Sequence, residues 1–252
     1  MFVNISMPVY NTDVPWLEEA IESIRNQTYK DWKLFIVNDC STNKETIDFI
    51  NSIKDSNIKT VTTNENLGCD RARLFVRNFL DEDCELVASM DGDDIMFPTR
   101  LEEQVNFLNR NEDVGILGGQ MQLFVDRSLP FTDMRLPIID PLTSHPYNVN
   151  DYILSSDWVI NNPSTMIRRS IVDDFNIDLI KKIQDELGLR RNVYGDVIFY
   201  GINAVKGVKI RNLSDIVIFY RVSRHNLSSK NWYGNIDMHK QLRKVLLSYY
   251  VG

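Results

Sequence analysis

The sequence predicts an α/β protein with a mainly parallel central sheet flanked by helices. Two patterns carry that prediction. Short apolar strands alternate with amphipathic helical stretches up to about residue 120. Polar residues and glycines follow the carboxyl ends of those strands, as in Tyr10-Asn11, Asp39 and Asp91-Gly92. Such alternation places helices on both faces of the sheet, and ligands then bind beyond the strand carboxyl ends. The chain has 252 residues, 43% hydrophobic and 25% charged, which suits one globular α/β unit.

The elements follow in order. Residues 2–7 read as the opening strand. A helix over 15–26 has Asp13 as cap, Pro15 in its first turn and Leu17, Ile21 and Ile24 on one face. Residues 32–37 form a second strand. Thr42-Asn43-Lys44-Glu45 fits a capping box for a helix that buries Ile47, Ile50 and Ile53. Ile58–Thr62 is a third strand, and Leu74, Phe75 and Phe79 lie on a helix starting near Asp70. A fourth strand over 86–90 ends at Asp91. Leu101, Val105 and Leu108 have helical spacing, and a fifth strand over 114–117 is ended by Gly118-Gly119.

The second half is less regular. Residues 126–147 contain several prolines and read as a loop or lid. Helices are expected near 171–175, 179–187 and 196–204, and strands over 208–213 and 216–221. Leu242, Val245, Leu246 and Tyr249 mark a terminal helix. The expected organisation is one domain over 1–252, with a regular nucleotide-binding half over 1–120 and an irregular acceptor half over 121–252.

The formal net charge of −7 argues against a general nucleic-acid binder. Arg168-Arg169, Lys181-Lys182 and Arg190-Arg191 read as solvated faces, with an acceptor phosphate or membrane surface as the alternative. The three cysteines, Cys40, Cys69 and Cys84, form an odd set without C-x-x-C spacing. They read as small buried residues, not a disulfide framework. With no leader-like start and no apolar run of membrane length, the expected compartment is the cytoplasm.

Four groups of residues carry candidate chemistry. Asp91, Asp93 and Asp94 crowd three carboxylates at the end of a strand, and Mg²⁺ or Mn²⁺ would relieve their repulsion. The same Asp-Gly-Asp-Asp stretch is also good turn chemistry. Asp39 could accept a hydrogen bond from a base N–H, or could cap the next helix. Arg73, following Asn66-Leu67-Gly68, could meet a phosphate or a base edge, or form a surface ion pair. Asp196 could be a helix cap or a general base.

Several ordered motifs together resemble glycosyltransferase family 2 on a GT-A fold. They are Met7-Pro8-Val9-Tyr10-Asn11, the Asp39 turn, Asn66-Leu67-Gly68 with Ala72-Arg73, and Asp91-Gly92-Asp93-Asp94 with Pro98 and Arg100-Leu101. Residues 162–169, Tyr220-Arg221 and Asn226-Leu227-Ser228-Ser229 are similar to the family's later motifs. The resemblance implies a GT-A (Rossmann-like) fold and inverting sugar transfer from a UDP-sugar to a glycan, lipid-linked or protein-linked hydroxyl, with Mn²⁺ or Mg²⁺. It implies Pro8, Tyr10, Asp39 and Arg73 around the base and ribose, Asp91 near ribose or metal, and Asp93 on the metal, with Asp94 a further candidate. Asp196 matches the catalytic base, and His225 is implied near the diphosphate or metal. The chain departs from the pattern at Cys40, at Gly195 where the family has Glu, and at Ser223 where it has His. A nucleotidyltransferase would carry a Gly-rich loop where this chain has Pro8-Val9-Tyr10-Asn11. A dehalogenase-like phosphatase would carry its Asp-x-Asp on the first strand. A sugar-binding module without turnover is the non-enzymatic alternative. No nucleic-acid partner is expected, while peripheral membrane association stays open.

Overall fold

The computed structural model describes residues 1–125, 145–151, 160–190, 194–223 and 236–248. In chain order its elements are β1 (Phe2–Val9), α1 (Val14–Arg25), β2 (Trp32–Asn38), α2 (Lys44–Ser52), β3 (Ile58–Thr62), α3 (Cys69–Phe75), β4 (Cys84–Ser89), β5 (Ile95–Met96), α4 (Arg100–Arg110) and β6 (Val114–Val125). There follow β7 (Met166–Arg168), α5 (Arg169–Asp174), α6 (Asp178–Glu186), α7 (Gly195–Val205), β8 (Lys209–Val222) and α8 (Ile236–Ser248).

The sheet has eight strands in the order β3-β2-β1-β4-β7-β6-β8-β5. Strands β3, β2, β1 and β4 are mutually parallel. Strand β7 runs antiparallel to both β4 and β6, and β8 is parallel to β6. Two reversals restore the direction, so β6 and β8 end on the same edge as β1, β2 and β4. All the candidate site residues that follow strand ends therefore face one side of the molecule.

Side-chain alternation builds two cores. Phe35, Val37 and Val87 point to the layer of α3 and α5–α8, while Leu34, Ile36, Leu86 and Ala88 point to the layer of α1 and α4. On β1 one face is apolar (Val3, Ile5, Met7, Val9). The other carries buried Asn4 and Ser6, which anchor neighbours. Asn4 exchanges hydrogen bonds with Asp81, and Ser6 Oγ donates to the Arg73 carbonyl at 2.7 Å.

Several boundaries differ from the sequence expectation for identifiable reasons. Gly118 and Gly119 do not end β6, which continues to Val125. They mark a register shift against β8, where a Cβ on Gly118 would lie 2.3 Å from Asn212 Oδ1 and one on Gly119 2.7 Å from Val217 Cγ2. The glycines serve close packing, and the two strands expected over 208–221 are one irregular strand, β8. Asn43, not Thr42, caps α2, its Oδ1 accepting from the N–H groups of Glu45 and Thr46. Asp13 occupies the cap position of α1 without a side-chain bond. Of Ile47, Ile50 and Ile53, only Ile50 is fully buried. The helix from Asp70 narrows to a 3₁₀ turn over Val76–Phe79. Arg168 and Arg169 are not loosely solvated: they donate to the carbonyls of Leu108, Asn111, Val114 and of Asp81, Glu82, Cys84 respectively. Cys84 is buried as expected, whereas Cys40 and Cys69 are partly exposed. Residues 126–144 of the expected lid, His225 and the 226–229 motif lie outside the described residues. Among the described residues no helix is long and apolar enough to cross a membrane.

Overpacking the β6–β8 contact is costly. Gly119→Ala drives a methyl against buried Val217, and we expect a loss of about 1–3 kcal/mol in urea unfolding. An unchanged midpoint would show that the close approach is not needed.

Candidate active site

Three loops meet at the carboxyl edge of β1, β2 and β4. After β1, Tyr10 is 50% exposed and Asn11 takes a left-handed backbone (φ 53°). The Asn11 side chain offsets that strain: its Oδ1 accepts from Thr42 N–H (2.7 Å) and Asn43 N–H (2.8 Å), tying the first loop to the second. Pro8 pairs with Val37 in the sheet just before.

After β2, Asp39 is buried. Its carboxylate accepts from the N–H groups of Leu67 (2.7 Å) and Gly68 (2.9 Å) and from Thr63 Oγ1 (3.1 Å). Asp39 thus holds the turn that opens α3 and does not cap α2. Gly68 is needed there, with φ at 85°. The turn sets the start of α3 and, one turn later, Arg73.

Arg73 is buried, not a surface ion pair. Its guanidinium donates to the Met90 carbonyl at 2.9 Å and pairs with Asp91. Burial disfavours its charge, but Asp91, Cys69 and Asp70 more than compensate and hold its proton affinity above the ordinary arginine range. Beneath this loop lies Arg100, fully buried. It donates to the carbonyls of Ser89 (2.8 Å) and Thr165 (3.1 Å) and to Gln104 Oε1 (3.0 Å). Burial, reinforced by Arg73, lowers it to about 9 despite Asp94 and Asp91.

The acidic turn itself is tight. A Cβ on Gly92 would meet Leu17 at 3.3 Å. Carboxylate oxygens of Asp91, Asp93 and Asp94 lie within 4.8 Å of one another. Asp94 is fully buried; its Oδ1 accepts from Arg221 N–H at 2.9 Å, while its Oδ2 has no partner among the described residues. Arg221 also donates to the Asp93 carbonyl at 2.7 Å, pairs with Glu19 and faces the ring of Phe124 at 4.6 Å. Burial and then Asp91 push Asp93 up to about 7. Burial and then Asp93 push Asp94 well above the carboxylate range. An orphaned buried oxygen within an all-oxygen donor set is what a hard divalent cation fits.

Asp196 lies in the first turn of α7, its Oδ1 accepting from Val197 N–H at 2.8 Å. Burial raises its proton affinity; Arg73 opposes and Asp91 adds. Asp196 therefore belongs to the same electrostatic cluster as the strand-end residues. Among the described residues, Asp70, Asp91, Asp93, Asp94 and Asp196 face Arg73, Arg100 and Arg221, five acidic groups against three basic ones before the exposed Glu19 is counted.

The sequence reading brought Asp39, Arg73, Asp91, Asp93, Asp94 and Asp196 to this edge, and the structure gathers all but Asp39 in one charge cluster. It assigned no role to Asp70, Arg100 or Asn162. Asp70 and Arg73 stand one helical turn apart, a spacing that puts both on one face of α3.

Glycosyl transferase family 2 is the family whose model matches the chain, over residues 5–175, more than half of its length. The chain belongs to glycosyl transferase family 2. It is 29% identical over 202 residues to an uncharacterized glycosyltransferase of Methanocaldococcus jannaschii, covering 71% of this chain and 68% of that protein. Its fold matches S. aureus TarS in complex with UDP-GlcNAc at TM-score 0.63 and 16% identity, over 98% of this chain and 65% of that one. It matches the mannosyltransferase PcManGT of Pyrobaculum calidifontis, in complex with GDP-Man and Mn²⁺, at TM-score 0.61 and 16% identity, over 90% and 59%. The chain thus spans roughly two thirds of each of these proteins. The architecture is that of the GT-A glycosyltransferases.

A carboxyl raised from 3.8 to about 7 on folding stabilises the protein below its unfolded value and loses that contribution as pH rises through 7. Asp93→Asn should therefore gain stability relative to wild type between pH 4 and 7 in EDTA, read by urea unfolding. A pH-independent difference would contradict the raised proton affinity of this carboxyl.

Proposed function

We propose that this chain is an inverting glycosyltransferase that moves a sugar from a UDP-sugar to an acceptor hydroxyl with the help of a divalent cation. The observation that carries the reading is the gathering of Asp91, Asp93 and Asp94 carboxylate oxygens within 4.8 Å at the end of β4, in a chain of this family. A base candidate and a cation-binding candidate share one edge of the sheet.

In this reading Asp91 and Asp93, with Asp94 behind them, hold Mn²⁺ or Mg²⁺. When bound, the cation neutralises charge on the departing diphosphate. Tyr10, half exposed at the end of β1, is available to the base beside Pro8. Asp39 offers the second lone pair of Oδ2, which among the described residues accepts from Gly68 alone. Arg73, engaged with Asp91 and the Met90 carbonyl, orients Asp91 toward the ribose and the cation. His225 is retained as a diphosphate candidate. Asp196 takes the proton of the acceptor hydroxyl. The oxygen attacks the anomeric carbon, and the nucleoside diphosphate leaves with the bonding pair from the opposite side. The transition state then has oxocarbenium character, as in glycoside hydrolysis. TarS is named with UDP-GlcNAc and PcManGT with GDP-Man and Mn²⁺. Those names support the donor class and the cation. The acceptor is a glycan, lipid-linked or protein-linked hydroxyl, and the work is cytoplasmic.

Asp196→Asn should keep UDP affinity and lose about 10²–10⁴-fold in transfer. Transfer at the wild-type rate would remove Asp196 as the base. Asp93→Ala should abolish the Mn²⁺ dependence of UDP binding in calorimetry; unchanged dependence would remove Asp93 as a ligand.

A further inference from the structure

The first turn of α7 is organised by a residue outside that helix. Gly195 has no side chain, and a Cβ there would lie 2.4 Å from Asp70 Oδ2 and 2.7 Å from Asp70 Cβ. The Asp70 side chain, from α3, sits where any side chain at 195 would have to go. Tyr194, the cap position of α7, has a left-handed backbone (φ 60°) and makes no side-chain cap bond. The Asp70 carboxylate thus lies against the N-terminal turn of α7, where helix N–H groups lack intrahelical acceptors. Asp70 Oδ1 also accepts from Asn162 Nδ2 at 2.9 Å. Asn162 Oδ1 in turn accepts from the Tyr200 hydroxyl. That hydroxyl lies 3.1 Å from Thr165 Oγ1, which is 3.0 Å from Ser89 Oγ at the end of β4. Asp70 thus abuts α7 at residue 195 and reaches residue 200 through Asn162.

We infer that Asp70 is the positioning residue for Asp196, fixing the first turn of α7 against α3. The inference deepens, and rests on, the reading of Asp196 as the base. The geometry comes with electrical coupling. Burial and then the Asp196 charge push Asp70 up to about 7, against Arg73 and with Asp91 adding. Titration of Asp70 beside Asp196 therefore changes the charge that the base candidate meets. The other groups acting on the pair are Arg73 and the Cys69 thiol from α3, Asp91 after β4 and the Tyr200 hydroxyl from α7. Burial keeps both Cys69 and Tyr200 protonated, so the titrating pair is Asp70 and Asp196.

The test uses the full chain with Mg²⁺ and two readouts. In ¹³C-carboxyl NMR of labelled aspartate, the Asp196 resonance is assigned by its loss in Asp196→Asn. In wild type it should show a step near pH 7 reporting Asp70, and Asp70→Asn, which keeps an acceptor at Oδ1, should abolish that step. In UDP release from UDP-glucose, UDP-galactose or UDP-GlcNAc, Asp70→Ala should lower kcat by roughly ten- to a hundred-fold with KM for the donor unchanged. Asp70→Asn should erase the inflection of the rate profile near pH 7. A wild-type Asp196 resonance without that step, or a step that survives Asp70→Asn, overturns the inference. If wild type releases UDP from none of the three donors, the transferase reading is what fails, and the NMR step still decides the role of Asp70.

Discussion

Everything at the carboxyl edge of the sheet answers to one electrostatic constraint: among the described residues, five carboxylates are gathered there with three guanidinium groups set among them. Like charges brought out of water raise one another's proton affinity, and the directions at Asp70, Asp93, Asp94 and Asp196 show that cost. The fold meets it with buried cations. Arg73 neutralises Asp91, the Arg221 guanidinium donates to the Asp93 carbonyl while its backbone N–H donates to the Asp94 carboxylate, and Arg100 gathers the carbonyls of Ser89 and Thr165 from below. The residual negative charge, with the unpartnered oxygen of Asp94, is what a divalent cation would complete.

The sheet makes this crowding tolerable. Strands β1, β2 and β4 end together because they are parallel, and β8 joins them after two reversals. Ser6 on β1 holds the carbonyl of Arg73, so the buried polar face of β1 sets the helix that carries the arginine. Asp39 sets the turn before that helix. Removing such partners would leave buried donors or acceptors unpaired, at about 1–3 kcal/mol each. The site is therefore built on sheet and helix ends, with left-handed backbone in the joining turns at Asn11, Cys40, Gly68 and Tyr194.

Much of this was legible in the sequence because it is local. Strand and helix alternation, the strand-end aspartates and the face of α1 repeat at short range and depend on period alone. Motifs in family order brought Asp39, Arg73, Asp91 and Asp196 to one edge before any coordinates. What escaped depends on contacts distant in sequence. Gly118-Gly119 reads as a turn but serves the approach of Val217 and Asn212. Arg168 and Arg169 read as surface charge but bind carbonyls some sixty and some ninety residues away. Gly195 reads as a lost contact; only the fold reveals Asp70 filling its space, 125 residues earlier in the chain. Asn43 displaced Thr42 as the cap because Asn11 claims the Thr42 backbone N–H and hydroxyl.

The central claim is that the carboxylates after β4 form a cation site whose charge balance the surrounding arginines leave incomplete. Anomalous scattering at the manganese edge, from crystals grown with Mn²⁺ and UDP, tests it most directly. The account predicts one strong peak among the oxygens of Asp91, Asp93 and Asp94, on the side of the bound diphosphate. A peak elsewhere, or UDP bound with no peak at these carboxylates, would contradict it.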